Sequence, residues 1–320
     1  MIRYICRRLA LFALGLVVTS ALVFFVLRVL PGDAAQVMGG IKATPEQLAQ
    51  IRQNYGLNRP LVAQYWDWVS GLATGDLGSS LITGTPIAAE IGEKFQLTLP
   101  LTLACLAVSL GIGVPLGVAS ALAYPKRSGD AISWVAQAVA AVPVVWVGLL
   151  LVILLGEGAG WLEALPSQGF PREAWADPVA AARCLALPAL TVGLVEGAVI
   201  LRYVRSALLE ARGQDFVRTA AALGLTKGQA LVRRGLPAAS GAILSVIALQ
   251  AASLLVGVVV VEALFALPGL GSMLADDVGN RDLVKVQSTV LVLVALVLVI
   301  GLALDIAARA IDPRQRLAVA

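Results

Sequence analysis

Histidine is absent from this chain, which excludes imidazole acid–base catalysis and histidine metal sites. Charge is scarce as well. Asp, Glu, Lys and Arg make up 14% of the 320 residues, against about 25% in a soluble domain. No lysine follows a glycine, so the phosphate loop G-x-x-x-x-G-K-[ST] is missing and the chain is not a P-loop ATPase by itself. The three cysteines, Cys6, Cys105 and Cys184, are far apart and odd in number, which gives neither a metal spacing nor a disulfide framework. Cys105 lies in an apolar run and reads as a small core residue. What is abundant is apolar: 59% of residues, with a mean hydropathy of +0.87. That composition argues against both a soluble globular chain and a disordered one.

Five stretches carry no Asp, Glu, Lys or Arg: 9–27, 95–125, 131–156, 235–261 and 286–304. A sixth, 184–201, is interrupted only by Glu196. At 1.5 Å of rise per residue, about 20 residues cross a hydrocarbon core of roughly 30 Å. The expectation is an all-α integral membrane fold with six transmembrane helices. Barrel strands would alternate polar and apolar residues, and these stretches do not. Arg3, Arg7 and Arg8 precede the first stretch as in a signal peptide. Its apolar run exceeds the usual 7–15 residues and Arg28-Val29-Leu30-Pro31 is a poor cleavage context, so it reads as a retained anchor.

The charges sort by segment. The N-terminus, the 124–130 turn, the 202–235 loop and the C-terminal end hold 15 Lys/Arg and 5 Asp/Glu. Segments 31–94, 157–183 and 262–285 hold 8 Lys/Arg and 14 Asp/Glu. The positive-inside rule places both termini in the cytoplasm. The basic balance is then topology, with no nucleic-acid partner implied. The expected organisation is residues 1–30 as cytoplasmic N-terminus and first span, and 31–94 as an external insertion. Residues 95–310 form a five-span core with a cytoplasmic loop at about 211–235, and 311–320 a cytoplasmic tail.

Segment 31–94 is too long for a simple connection. Thr44-Pro45-Glu46-Gln47 reads as a helix start, with Thr44 as N-cap and Gln47 at N3. That helix is expected to run to about Tyr55 and stop at Gly56. A second helix carrying Tyr65, Trp66 and Trp68 follows Pro60. Two readings are open: a small cap on the outer mouth, or aromatics resting in the headgroups. Segment 157–183 reads as loop or short helix. Phe265-Ala266-Leu267-Pro268-Gly269-Leu270-Gly271 forces a turn at the outer end of the fifth span. Asp276, Asp277, Arg281 and Asp282 after it read as a solvated loop.

The loop between the fourth and fifth spans divides into two short helices. The first covers about Gln214 to Leu223, with Phe216, Ala220 and Leu223 at i, i+4 and i+7 on one face. Gly224 suits the left-handed position after a helix. Thr226 caps the second helix, with Gln229 completing a capping box. Ala220, Ala221 and Ala222 offer a small-residue ridge, Phe216 one large anchor, and Asp215 and Arg218 charges at its rim. The segment fits two readings equally: a surface helix at the membrane boundary, and a helix lying in a partner's groove.

Inside the spans, Glu196 is the one clear ionisable group. Three roles are open to it: meeting a cationic group of a passing solute, pairing with Arg202, and contacting a sister subunit. Gln250 and Ser253 either line a path or bridge neighbouring helices.

The loop residues Asp215-Phe216-Val217-Arg218-Thr219-Ala220 with Gly224-Leu225 resemble the coupling segment of ATP-binding-cassette importer permeases. More narrowly, the chain resembles the dipeptide/oligopeptide/nickel permease family. The match continues, in family order, at Tyr55-Gly56-Leu57-Asn58-Arg59-Pro60, Gly75-Asp76-Leu77-Gly78-Ser79-Ser80 and Leu187-Pro188-Ala189-Leu190. It runs on through Arg202 to Ser206, Glu262-Ala263-Leu264-Phe265, Pro268-Gly269-Leu270-Gly271, Arg281-Asp282 and Asp312-Pro313-Arg314. Leu223 departs from it, standing where the family usually has a basic residue.

The resemblance implies a type I importer permease fold in a bacterial-type inner membrane, forming half of a pathway for short peptides or a related small solute. It implies four kinds of partner: a second homologous permease, two ATP-binding-cassette ATPase subunits, an external substrate-binding protein, and membrane lipid. It implies no cofactor on this chain, with ATP and Mg2+ held by the ATPases. The ATPase-coupling residues would be Asp215, Phe216, Val217, Arg218, Thr219, Ala220, Ala221, Ala222, Gly224 and Leu225. Glu196, Gln250 and Ser253 would be pathway residues, and Glu262, Phe265 and Pro268 an outer gate. The competing class is an ion-driven secondary transporter, marked by inverted repeats and intramembrane ionisable groups.

Overall fold

A computed structural model describes residues 2–29, 35–36, 43–54, 56–158, 160–171 and 174–311. Tyr55 and the motif Asp312-Pro313-Arg314 lie outside the described residues. The described chain is helical, without a strand. The helices are α1 (Ile2–Val29), α2 (Pro45–Asn54), α3 (Leu61–Ala73), α4 (Ile87–Ala123), α5 (Arg127–Ala141) and α6 (Val144–Leu155). They continue with α7 (Pro178–Arg212), α8 (Asp215–Ala222), α9 (Lys227–Ala230), α10 (Leu236–Leu264), α11 (Leu270–Asn280) and α12 (Leu283–Ile311).

Cys6–Arg28, Ile87–Ala123, Pro178–Arg212, Lys227–Leu264 and Leu283–Ala307 are long and apolar enough to cross a membrane. The third expected span, 131–156, is not one straight helix. It is α5 and α6, bent by 105° at Val142-Pro143. Proline disfavours the helical region for the residue before it, and Val142 is extended at φ −84° and ψ 131°. Counting the bent pair as one span gives six.

The chain divides into two compact units. The first comprises residues 1–6, 99–267 and 299–320. In it α4 and α7 cross backbone to backbone through glycine. A Cβ on Gly113 would sit 2.6 Å from the Gly197 carbonyl oxygen, one on Gly117 2.7 Å from Val204 Cβ, and one on Gly193 2.4 Å from Val108 Cγ1. Lipid tails are as apolar as leucine, so such close packing is what holds membrane helices together. Around the crossing lies a core of Ala121, Ile200, Val204, Leu208, Leu231, Ala239, Ile243 and Ile247. Cys105, on the same stretch of α4, is fully buried.

The basic end of this unit is tied by polar contacts. Arg205 donates to Asp130 Oδ1 at 2.6 Å and to the Gly129 carbonyl at 3.1 Å. Ser120 Oγ donates to the same carbonyl at 2.7 Å. Arg212 donates to the Tyr124 carbonyl at 2.7 Å and lies over the Tyr124 ring.

The second unit comprises residues 7–98 and 268–298. The α2 start is as expected: Thr44 N donates to Gln47 Oε1 at 2.9 Å, and Gln47 N to Thr44 Oγ1 at 3.4 Å. Tyr65 and Trp68 of α3 pack on Phe24 of α1, and Ser20 Oγ lies 3.0 Å from the Tyr65 hydroxyl. Trp66 stays exposed. The aromatic helix is thus seated on the end of the first span. The Leu270 amide donates to Thr98 Oγ1 at 2.9 Å, and Ser288 Oγ to the Leu77 carbonyl at 3.0 Å. Segment 270–280 is the α11 helix, which corrects the expectation of a solvated loop there.

Overpacking a close crossing costs about 1–3 kcal/mol. Gly117→Leu is therefore expected to lower the detergent-solubilised melting temperature by several degrees. Gly111→Ala, where an added Cβ meets nothing within 4 Å, is expected to leave it unchanged or raise it slightly. Thermal unfolding followed by tryptophan fluorescence checks both.

Candidate functional site

The loop after α7 folds as two short helices joined by a glycine turn. Gln214 stands at the N-cap position of α8 without a side-chain capping bond, and Leu223 ends the helix. Gly224 then takes φ +101°, a backbone conformation that strains any residue with a Cβ. Thr226 and Gln229 form the reciprocal capping box of α9, each hydrogen bond 3.2 Å long. A π-helical turn, Leu231–Gly235, leads into α10.

One side of α8 turns inward. Val217 and Ala220 are buried against Ala230, with Ala221 and Leu225 packed on the same cluster. The three alanines therefore do not form one exposed ridge: Ala220 and Ala221 face the chain itself, and only Ala222 is exposed. Helical geometry requires this, because successive residues lie 100° apart. Phe216, Ala220 and Leu223 line one concavity of about 500 Å³ together with Thr219, Leu225 and Arg234, so it takes in residues of both the packed and the exposed sides of α8. Leu223 is 82% exposed. Asp215 and Arg218 are exposed and 3.7 Å apart, a rim pair.

In the middle of α7 and α10 the expected pathway residues converge. Gln250 Nε2 donates to Glu196 Oε2 at 2.9 Å, and Ser253 Oγ donates to Glu196 Oε1 at 2.8 Å. Gln250 and Ser253 are one turn apart on α10 and so share a face. Arg202, one of the partners open to Glu196, lies instead over the Tyr203 ring. Glu262 and Phe265, at the end of α10, are buried, with Phe265 beside Gly148 of α6. Ala266 turns the chain at φ +50°, and Leu267 N donates to the Glu262 carbonyl at 2.8 Å. Pro268 belongs to the other unit and is exposed.

The second unit holds a charge cluster that sequence reasoning missed. Lys285 Nζ contacts Glu90 Oε2 at 2.5 Å and Asp277 Oδ1 at 3.1 Å. Asp282 is buried and accepts from Ser80 Oγ, from Lys285 N at 3.3 Å and from Leu81 N at 3.4 Å. The signal was present: Leu270, Met273 and Asp277 lie at i, i+3 and i+7, one helical face. Burial pushes the Asp277 carboxyl above the usual aspartate range, and the Lys285 hydrogen bond opposes that rise.

Charge-poor helices of spanning length and a glycine-mediated helix crossing define a polytopic membrane protein. Two family models cover most of the chain. One, described as the N-terminal part of a binding-protein-dependent transport system membrane component, matches residues 1–102. The other, described as the binding-protein-dependent transport system inner membrane component, matches residues 113–317. The chain belongs to this family of inner-membrane transport components, and is a multi-pass permease subunit of an ABC importer.

The chain is 31% identical over 319 residues, 99% of both chains, to the glutathione transport system permease protein GsiC of Salmonella typhimurium. It is 34% identical over 333 residues, again 99% of both chains, to the di/tripeptide transport system permease protein DppB of Pseudomonas aeruginosa. Among solved structures it matches the MetNI methionine ABC transporter in inward-facing conformations. The TM-score there is 0.56 at 19% identity, covering 70% of this chain and 96% of that one. This likeness shows the fold, that of a type I importer permease.

A carboxyl with a raised pKa favours folding when protonated, so its contribution is present at low pH and lost as pH rises through its folded pKa. Removing the Lys285 ammonium leaves Glu90 and Asp277 without its charge. Lys285→Met is expected to destabilise the protein by about 3 kcal/mol. The deficit should be larger at pH 8 than at pH 5. Melting curves of both proteins at the two pH values check this, and an equal deficit at both would contradict the cluster's electrostatic role.

Proposed function

We propose that the chain forms half of the translocation pathway of an importer for short peptides or a related small solute, glutathione among them. The assembly would comprise this chain, a second homologous permease, two ATP-binding-cassette ATPases and an external binding protein. Both termini and the α8–α9 loop face the cytoplasm, as the distribution of Lys and Arg supports. Residues 31–94 form the external insertion and 95–310 the permease core. Full-length similarity to permeases named for glutathione and di/tripeptides supports the cargo class. No such support exists for an ion-driven mechanism.

The observation that carries the coupling role is the outer face of α8. A leucine 82% exposed, a half-exposed Phe216 and a concavity of about 500 Å³ sit on a helix whose other face is already packed. An ATPase subunit is the partner that covers this face. The residues that hold the helix in place are Val217, Ala220, Ala221, Gly224 and Leu225. Those that meet the partner are Phe216, Thr219, Ala222 and Leu223, with Asp215 and Arg218 at the rim. ATP and Mg2+ bind the ATPases, and displacement of α8 on ATP binding shifts α7 and α10 between two packings.

Leu223→Asp adds a charge at an exposed position and spares the packed face, so the permease should fold normally. With the importer reconstituted in liposomes, peptide uptake and binding-protein-stimulated ATPase activity are expected to fall at least tenfold. Retention of both at wild-type rates would refute the docking face.

A further inference from the structure

Glu196 is 7% exposed and lies in the middle of a spanning helix. A carboxylate at that depth is costly unless a charge or a set of donors faces it. Its two oxygens receive one neutral donor each, from Gln250 and Ser253. Among the described residues no lysine or arginine forms an ion pair with it. Each carboxylate oxygen therefore keeps a lone pair, and no cation of the described chain neutralises the group when it is ionised.

Beside this group α10 carries an uncovered stripe. Ser253 is exposed, on a stripe of α10 that also carries Leu249, Ala252 and Val256. These positions are spaced i, i+3, i+4 and i+7, one face of the helix. Ser253 donates inward from this stripe, so Glu196 lies one hydrogen bond behind an uncovered face. Gln250 is half-buried and holds the second oxygen. Two neutral donors fix the carboxylate's orientation and leave its charge available. A purely structural bridge between α7 and α10 would need only hydroxyl and amide groups.

We propose that Glu196, oriented by Gln250 and Ser253, is a binding site for a cationic group of the passing solute, a primary ammonium such as the amino terminus of a peptide. This rests on the peptide-importer reading and adds a chemical selection made inside the membrane, separate from that of the binding protein. The carboxylate attracts the ammonium and lowers the cost of bringing it into the hydrocarbon region. Because the contact is a single non-covalent ion pair, the ammonium can leave again.

The test uses the intact importer complex in liposomes, with Cys6, Cys105 and Cys184 replaced and Ser253→Cys introduced. Its labelling rate with a methanethiosulfonate ethylammonium reagent is divided by that with the ethylsulfonate reagent. The ratio is then compared with that of a free thiol in solution. It is expected to exceed the solution ratio at least tenfold, and to fall to it when Glu196→Gln is added.

In the native-cysteine complex, Glu196→Gln is expected to lower trialanine uptake per ATP hydrolysed at least fivefold. Glu196→Asp is expected to restore part of it, while the melting temperature stays within a few degrees of wild type. No reaction of the thiol with either reagent, a ratio indifferent to Glu196→Gln, or unchanged uptake would overturn the proposal. The labelling requires no turnover. A failure there falls on this site, whereas absence of peptide uptake by the wild-type complex falls on the importer reading.

Discussion

Hydrocarbon offers a polypeptide no hydrogen bonds, and the rest of this structure follows from that constraint. Each backbone N–H and C=O in the core must be satisfied within its own helix. Helices of spanning length are the outcome, and they bring a second requirement. Lipid and leucine are equally apolar, so the helices must be held together by close packing and polar contacts. Gly113, Gly117, Gly193 and Gly197 let α4 and α7 meet backbone to backbone. Glu196, a carboxyl group between α7 and α10, is fixed by two donors from the facing helix. Where the constraint lapses, at the ends, the chain turns to arginine, aspartate and capping side chains to fix its geometry.

The α8–α9 loop shows the same economy. A helix of eight residues is too short to be stable alone. α8 is held by Val217 and Ala220 on its inner face, and by a capped helix directly after Gly224. That arrangement leaves Leu223 exposed on the other side. The loop joins α7 directly to α10 in the chain.

Local chemistry was legible in the amino-acid sequence. Thr44 with Gln47 and Thr226 with Gln229 made the reciprocal bonds their spacing implies. Gly224 took its left-handed turn. Four of the five charge-free runs, and the stretch broken only by Glu196, fall on helices of spanning length. The rest depended on tertiary relations that no local pattern carries. Pro143 sits in an unbroken apolar run, and the run hid the bend that a proline there imposes. The alanine ridge was visible, yet which side of α8 faces inward depends on where Ala230 lies. Glu196, Gln250 and Ser253 were each singled out, but their meeting depends on how α7 and α10 cross. Asp277 and Asp282 were read as solvated, and their burial depends on Lys285 and Ser80, distant in the chain or hidden at the edge of an apolar run.

The central claim is that this chain works only inside a larger assembly that supplies the energy it cannot supply itself. Affinity purification of the tagged chain from its native host in mild detergent, followed by mass spectrometry of the co-purifying proteins, addresses it most directly. The account predicts a second multi-span permease together with one or two P-loop ATPases. A homo-oligomer alone, with no ATPase retained even after gentle crosslinking, would contradict it.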